Sequence, residues 1–533
     1  MRKFSPFLLT STFALSVNAA NPILPLWEYI PDGEPYVFDD PDNPGRKRVY
    51  LYGSHDTIRT GYCGYDYTLW SAPLEDMNHW RCEGSIFRLD NDANGNPLSP
   101  TGMGELLWDP DAQEVTGADG RKTYYLFPFN VRARGRLGMV AKADRPDGPF
   151  KVVNWSKTDP KKVDSFGYHL ATFVDDDGRA YVYWSRDVGF GSDSVSAAEL
   201  DRSTMCTLKP GAEVHHDIIS SWRKEGVARY FEGPSMRKIK GKYVLVYARY
   251  TMEGEFGLGA SYCTLAYAYA DTPLGPFRYG GTLIDLRGRE IGPDGKTRIT
   301  AAPGGNTHGS LCEVNGQWYV FYHRQTGTNQ FSRQAMVARV DVTVEDGPGG
   351  KVSISEGEID SMGFETEGLN PLELHAAGTA SHYTGPVPAD AGFKYSGPYP
   401  VPYRCDGYAA NDAYGPDVNR CALVNCTDGS VAGWKYFNFD KTRGRKGLKL
   451  VLGLEQEGVE GTIDVWVTRP SSDEGGTKVG SVALAAEAPD WYRMVEVSVD
   501  ALGDVQGRKA LYLTFASPTK GKSMCVLHTL QFR

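Results

Sequence analysis

Apolar and aromatic residues recur along this chain in short runs, not at a helical period. Five runs, 48-RVYLYGSHD, 122-KTYYLFPFN, 179-RAYVYWSRD, 242-KYVLVYARY and 317-QWYVFYHRQ, are rich in β-branched and aromatic side chains and read as strands. Four of them follow 119-DG, 177-DG, 240-KG or 315-NG, dipeptides that accept the positive φ of tight hairpins. Their spacing of roughly 55 to 75 residues is enough for one four-stranded antiparallel sheet per recurrence. The pattern predicts an all-β fold with a five-bladed β-propeller, in which the innermost strand of each blade meets one axis. Carboxylates far apart in sequence can then share a pocket.

Two near-copies, 143-ADRPDGPF and 270-ADTPLGPF, look like the outer edge of a blade turning back. After the turn 345-EDGPGGK, the stretch 352-VSISEGEIDSMGFE alternates like a strand that still packs on the propeller. From about residue 395, alternating strands resume without the blade spacing, in 434-WKYFNFD, 447-GLKLVLGLE, 461-GTIDVWVTRP, 478-KVGSVALA, 491-WYRMVEVSV and 509-KALYLTFAS. These read as a β-sandwich of jelly-roll type. The predicted organisation is a signal peptide over 1–19, a propeller over 20–375, a connection over 376–394 and a sandwich over 395–533.

The signal peptide rests on Arg2 and Lys3, the apolar stretch Phe4 to Val17 and the small-residue pattern ending at Ala19. It implies a secreted or periplasmic protein with no membrane anchor. A net charge of -9 with mixed signs excludes a polyanionic nucleic acid as the main partner and leaves neutral polymers open. The nine Cys are scattered without CxxC or Cys/His spacing, so a structural zinc site is not expected from them.

Two acidic residues stand in unusual contexts. Asp32, in 30-IPDGEPYVF, precedes the first strand, where a propeller places it near the axis. Glu232, in 230-YFEGPSMRKI, follows two aromatics, a setting that favours a raised pKa and an acid role. A lone Asp beside Gly is usually a turn former, and Asp175, Asp176 and Asp177 read that way. His55 and His323 read as structural or wall residues.

The segments 21-NPILPLWEYIPDGEPYVF, 106-LLWDPDAQEV, 173-FVDDDGRAYVYW, 231-FEGPSMRKI, 306-NTHGSL and 322-YHRQTGTNQFSRQ, in this order, resemble glycoside hydrolase family 43 over about residues 22 to 375. The family has a five-bladed propeller and cleaves arabinose, xylose or galactose linkages with inversion. The resemblance implies that Asp32 is the general base and Glu232 the general acid; Glu34, two residues from Asp32, is the next base to test should that assignment fail. It also places Asp111, Arg324 and Arg333 near substrate and His308 in the axial channel, where members often hold a hydrated Ca²⁺. No cofactor is otherwise required. The family's acid-tuning Asp falls on His169 in 166-FGYHLATFVDDDG, so His169 serves a modified site, Asp164 reaches in, or the enzyme is weakened.

The last domain resembles a family 6 carbohydrate-binding module through 427-TDGSVAGWKYFNF, 461-GTIDVWV and 488-APDWYRMVEVSV. That resemblance puts Trp491 where a sugar-stacking aromatic lies, with a buried sandwich Trp as the alternative. Together these readings imply a secreted inverting exo-glycosidase acting on plant-type polysaccharide or oligosaccharide. An α-L-arabinofuranosidase is expected first, with a β-xylosidase, a β-galactosidase or a non-catalytic glycan-binding propeller as alternatives.

Overall fold

The structure is a computed structural model that describes residues 20–58, 60–130, 136–164, 167–187, 192–291, 297–302, 304–327, 330–385, 403–405, 422–486 and 493–533. The described residues form strands and a few short 3₁₀ turns. Blade one comprises β1 (Glu34–Asp39), β2 (Lys47–Tyr52), β3 (Asp66–Pro73) and β4 (Arg81–Arg88). Blade two comprises β5 (Trp108–Thr116), β6 (Lys122–Phe129), β7 (Ala141–Ala143) and β8 (Lys151–Val152). Blade three comprises β9 (Tyr168–Val174), β10 (Ala180–Asp187), β11 (Ser192–Leu200) and β12 (His215–Ile219). Blade four comprises β13 (Tyr230–Ile239), β14 (Lys242–Thr251), β15 (Ser261–Ala270) and β16 (Arg278–Asp285). A ribbon of β17 (Glu290–Ile291) and β18 (Thr297–Ile299) leads to blade five, with β19 (Gly309–Val314), β20 (Gln317–Gln325) and β21 (Arg333–Val340).

Each aromatic run is the second strand of its blade, buried between neighbours on both sides, which explains its near-continuous apolar character. The two DGPF-type segments form the turns from third to fourth strand in blades two and four. The first strands β1, β5, β9, β13 and β19 contact one another in sequence, and β19 returns to β1, so the ring closes around an axis. Closure also uses the start of the described chain. Ile23 N–H donates to Ala335 O at 3.1 Å, Asn21 Nδ2 to Val337 O at 2.8 Å, and Val337 N–H to Asn21 Oδ1 at 3.0 Å, so residues 21–23 line the free edge of β21. This edge would otherwise present unpaired backbone groups. The hairpin of β22 (Val342–Val344) and β23 (Val352–Ile354) packs on the apolar cluster shared by blades four and five, as the alternation in this stretch predicts.

The second domain contains β24 (His375–Ala376), β25 (His382–Thr384), β26 (Tyr403–Cys405), β27 (Ala422–Val424), β28 (Val431–Asn438), β29 (Lys449–Gln456), β30 (Gly461–Val467), β31 (Thr477–Leu484), β32 (Arg493–Ser498), β33 (Arg508–Ala516) and β34 (Cys525–Phe532). They form two sheets, β26-β27-β34-β29-β32 with β24 beside β34, and β25-β28-β33-β30-β31. Leu450, Leu452 and Leu527 from one sheet and Trp434, Leu511 and Leu513 from the other share one core. Strands β24 and β25 differ from the expected connection over 376–394: both belong to the sandwich, and Leu369 already sits in its core. Strands of two or three residues are too short to carry an alternation signal.

The sandwich packs directly on blade five and the ribbon. Tyr383 N–H donates to Ala301 O at 2.7 Å, its hydroxyl donates to Gln325 O at 3.1 Å, and its ring lies 4.9 Å from the Arg324 guanidinium. Lys435 pairs with Glu290 and Glu358 at 2.5 and 3.2 Å.

Candidate active site

The polar residues at the axis gather where the first strands begin. Asp32, just before β1, has φ 60°, the left-handed region that a non-Gly side chain occupies only when its surroundings enforce it. Those surroundings are explicit. Its backbone N–H donates to His323 Nδ1 at 3.1 Å, and Ser54 Oγ donates to its Oδ2 at 2.7 Å. Arg333 Nη1 donates to Oδ1 at 3.0 Å. Arg333 is itself held by Asp56, through Nε at 2.9 Å and Nη2 at 2.8 Å, and its guanidinium lies 4.8 Å from the Tyr62 ring centroid. Burial, the largest single influence, would raise the Asp32 carboxyl, but Arg333, His323 and His308 together outweigh it and hold the group well below the usual carboxylate range. Asp32 is therefore a fixed anion.

Glu232 lies on β13 at an irregularity in its pairing with β14, half-buried at the opposite side of the ring. Burial first, and then the nearby Asp109 carboxylate, push its pKa up to about 7, against the partial opposition of His169. At neutrality this carboxyl retains a large protonated fraction, as an acid needs. Asp109 opens β5 between Trp108 and Pro110 and contacts His169 Nε2. The two titrate as an ion pair. Burial opposes charging of both, yet each holds the other charged, lowering the Asp109 pKa and raising that of His169. His169 also has a left-handed backbone, φ 53°, and its ring stacks on Phe129 at 4.7 Å.

Deeper in the channel, Arg237 Nη2 donates to Glu34 Oε2 at 2.9 Å, and Ser235 Oγ donates to the same oxygen at 2.9 Å. Burial pushes Glu34 up to about 7 despite Arg237. Asp111 accepts from Tyr36 Oη at 2.5 Å and from Thr172 N–H and Oγ1 at 2.6 and 2.9 Å. His308 stands between these layers, its Nδ1 3.7 Å from Asp109 Oδ2 and its Nε2 3.8 Å from Glu34 Oε1.

Asp32, Glu232, Arg333, His169 and His308 are thus brought together at the axis, and three expectations need correction. Arg324 does not face the pocket. On an extended strand adjacent side chains point to opposite faces, so when His323 meets Asp32, Arg324 meets Tyr383 of the sandwich. Asp111 binds protein with both oxygens and braces the channel instead of offering itself to substrate. Asp164 is exposed, and its backbone pairs with Asn154, so it does not reach in. His323, expected to be a structural or wall residue, is buried beside Asp32 and accepts from its backbone N–H. Trp491 lies outside the described residues. The residue missed is Asp109. The motif 108-WDPDA holds two acids at the start of β5, where the pairing with β6 shifts register between Trp108 and Asp111, and the first meets His169 while the second braces the wall.

Comparison with known proteins gives a match to glycosyl hydrolases family 43 over residues 40–348. A xylosidase/arabinosidase of Thermoclostridium stercorarium is 31% identical over 81% of this chain and 84% of its own. A beta-xylosidase of Xylanibacter ruminicola is 27% identical over 60% of this chain and 95% of its own. An arabinoxylan arabinofuranohydrolase of Paenibacillus polymyxa is 27% identical over 71% of this chain and 60% of its own.

Proposed function

The chain belongs to glycosyl hydrolase family 43 and is a glycoside hydrolase, and we propose that it is a secreted, inverting exo-enzyme that removes terminal α-L-arabinofuranosyl groups from arabinoxylan-type material. The observation that carries the catalytic reading is two carboxyls at the axis pushed in opposite directions, the buried Asp32 down and the half-buried Glu232 up. Asp32 takes a proton from water as that water attacks the anomeric carbon. Glu232 gives its proton to the departing glycosidic oxygen. Asp109 supplies the negative charge beside the acid that the resemblance implies at position 169, now occupied by His. Arg333 holds the base ionised and, through Asp56, keeps it in place. Beside Arg333, the Tyr62 ring meets Trp108 and Phe331 edge-on, with centroids 5.8 and 4.8 Å away, and this aromatic cluster would supply apolar surface to a sugar.

The names of the relatives favour arabinose and xylose over galactose as the released sugar, with β-xylosidase the second reading. A panel of aryl α-L-arabinofuranosides, β-D-xylosides and β-D-galactosides, followed by proton NMR of the first sugar released, tests both points. Fastest release from the arabinofuranoside with inverted configuration is expected. Retention at the anomeric carbon would remove Asp32 as base, and no release from any member would leave only glycan binding.

A further inference from the structure

Asp109, His169 and His308 come from three different blades, yet one donor atom of each lies within 4.8 Å of the other two. His308 is 6% exposed, and neither of its ring nitrogens has a hydrogen-bond partner among the described residues. Its Nδ1 points at Asp109 Oδ2, 3.7 Å away. The ring cannot simply turn aside. It packs against the His169 ring at 5.7 Å, and a Cβ on Gly233 would meet it at 2.5 Å, so the chain has glycine there at φ 66°. A buried imidazole held rigidly with both nitrogens idle is costly unless something binds it.

A Ca²⁺ ligated directly by these three residues, instead of through water, does not fit this donor set. Ca²⁺ takes six to eight oxygen ligands at about 2.3–2.6 Å, whereas two of the three donors here are imidazole nitrogens. Two imidazoles and one carboxylate suit a borderline divalent ion at about 2.0–2.2 Å, with a fourth position left for water. Donor atoms around one such ion lie roughly 3 to 4 Å apart; Asp109 Oδ2 and His308 Nδ1 stand at that separation, whereas Asp109 Oδ2 and His169 Nε2 are closer and must part to admit the ion. We propose that Asp109, His169 and His308 form a direct site for one Zn²⁺-class ion. The ion would replace the proton shared by Asp109 and His169. Because it neutralises the carboxylate beside Glu232, its binding lowers turnover. That consequence rests on Glu232 being the acid, whereas the site itself does not.

The test uses the full chain, freed of metal by dialysis against a chelator. Calorimetric titration with Zn²⁺ and separately with Ca²⁺ is expected to show one Zn²⁺ per chain, bound at least about 100-fold more tightly than Ca²⁺. Co²⁺, used as an optical probe, is expected to give visible bands much stronger than those of the aqueous ion, as low-coordinate nitrogen and oxygen ligation does. Asp109→Asn and His169→Gln should each weaken Zn²⁺ by about 10-fold or more while the circular dichroism spectrum stays that of the parent. Tighter binding of Ca²⁺, no stoichiometric Zn²⁺, or undiminished Zn²⁺ affinity in both variants would each overturn the proposal. If either variant misfolds, the metal preference of the parent protein and its Co²⁺ spectrum still decide. Stoichiometric Zn²⁺ that leaves aryl-glycoside turnover unchanged would support the site and count against Glu232 as the acid.

Discussion

The two walls of the pocket bury a carboxyl each and treat it in opposite ways. On the side of blades one and five, Asp32 meets a guanidinium that Asp56 clamps from behind. On the side of blades two to four, Glu232 meets a second carboxylate, Asp109. Removal from water would raise both groups, so burial cannot be what separates base from acid. At Asp32 the fixed cations reverse the sign that burial sets, whereas at Glu232 the carboxylate of Asp109 adds to it. One consequence is that the walls can be disabled separately.

The largest effects should come from the carboxyls themselves. Asp32→Asn and Glu232→Gln are each expected to lower turnover of a natural glycan by about 10²-fold or more. With an aryl glycoside whose phenolate leaves without a proton, the Glu232→Gln deficit should shrink while the Asp32→Asn deficit stays. Equal deficits on both substrates in Glu232→Gln would dissolve the distinction between the walls.

Next in size is Arg333→Met, which leaves Asp32 and Asp56 buried without their cation. A loss of about 3–5 kcal/mol in denaturant unfolding is expected. In the parent, the stability contributed by the depressed Asp32 carboxyl is fully present above its ordinary value of 3.8 and is lost only as pH falls below that toward the depressed one. Without the guanidinium, burial dominates, so the acid limb of the rate profile should climb. A variant of unchanged stability and unchanged acid limb would show that Arg333 does not hold the base.

On the opposite wall, activity should fall on the basic side near pH 7, as Glu232 loses the proton it must donate. Asp109→Asn removes the nearest negative charge, so this limb should move down in pH while the acid limb stays. An unmoved basic limb would mean that burial alone tunes the acid.

The smallest effect expected is that of Tyr383→Phe, which deletes one hydroxyl from the sandwich. Its acceptor is the carbonyl of Gln325, which pairs with Arg333 across β20 and β21. A loss of about 1 kcal/mol is expected, with any kinetic change confined to the acid limb. A shift of the basic limb would show that the sandwich braces the whole ring, not the base wall alone.

The five blades were legible because each second strand is buried on both sides and spells this in an unbroken aromatic run. Asp32 and Glu232 were legible because their neighbours were unusual. Depth along the channel was not. Asp109 and Asp111 lie on one strand across a shift in its pairing, and only their partners from other blades make one a neighbour of Glu232 and the other a brace for Tyr36 and Thr172. The phase of β20 was equally hidden, since 322-YHRQ offers two cationic candidates side by side and packing alone decides that His323 faces Asp32. Residue 169 shows a different limit: a histidine in an acid's place makes sense only once its partner from another blade is seen.

Residues 21–23, which complete blade five, are separated from their partners by about 316 positions of chain. During synthesis at about 5–20 residues per second, this first segment therefore waits on the order of tens of seconds for the strand it pairs with. Blades two, three and four can assemble meanwhile, and with them the surroundings of Glu232. Asp32 acquires His323 and Arg333 only when blade five arrives and the ring shuts. The surroundings of Glu232 thus form before those of Asp32, and the act that seals the fold is the one that completes the proposed base.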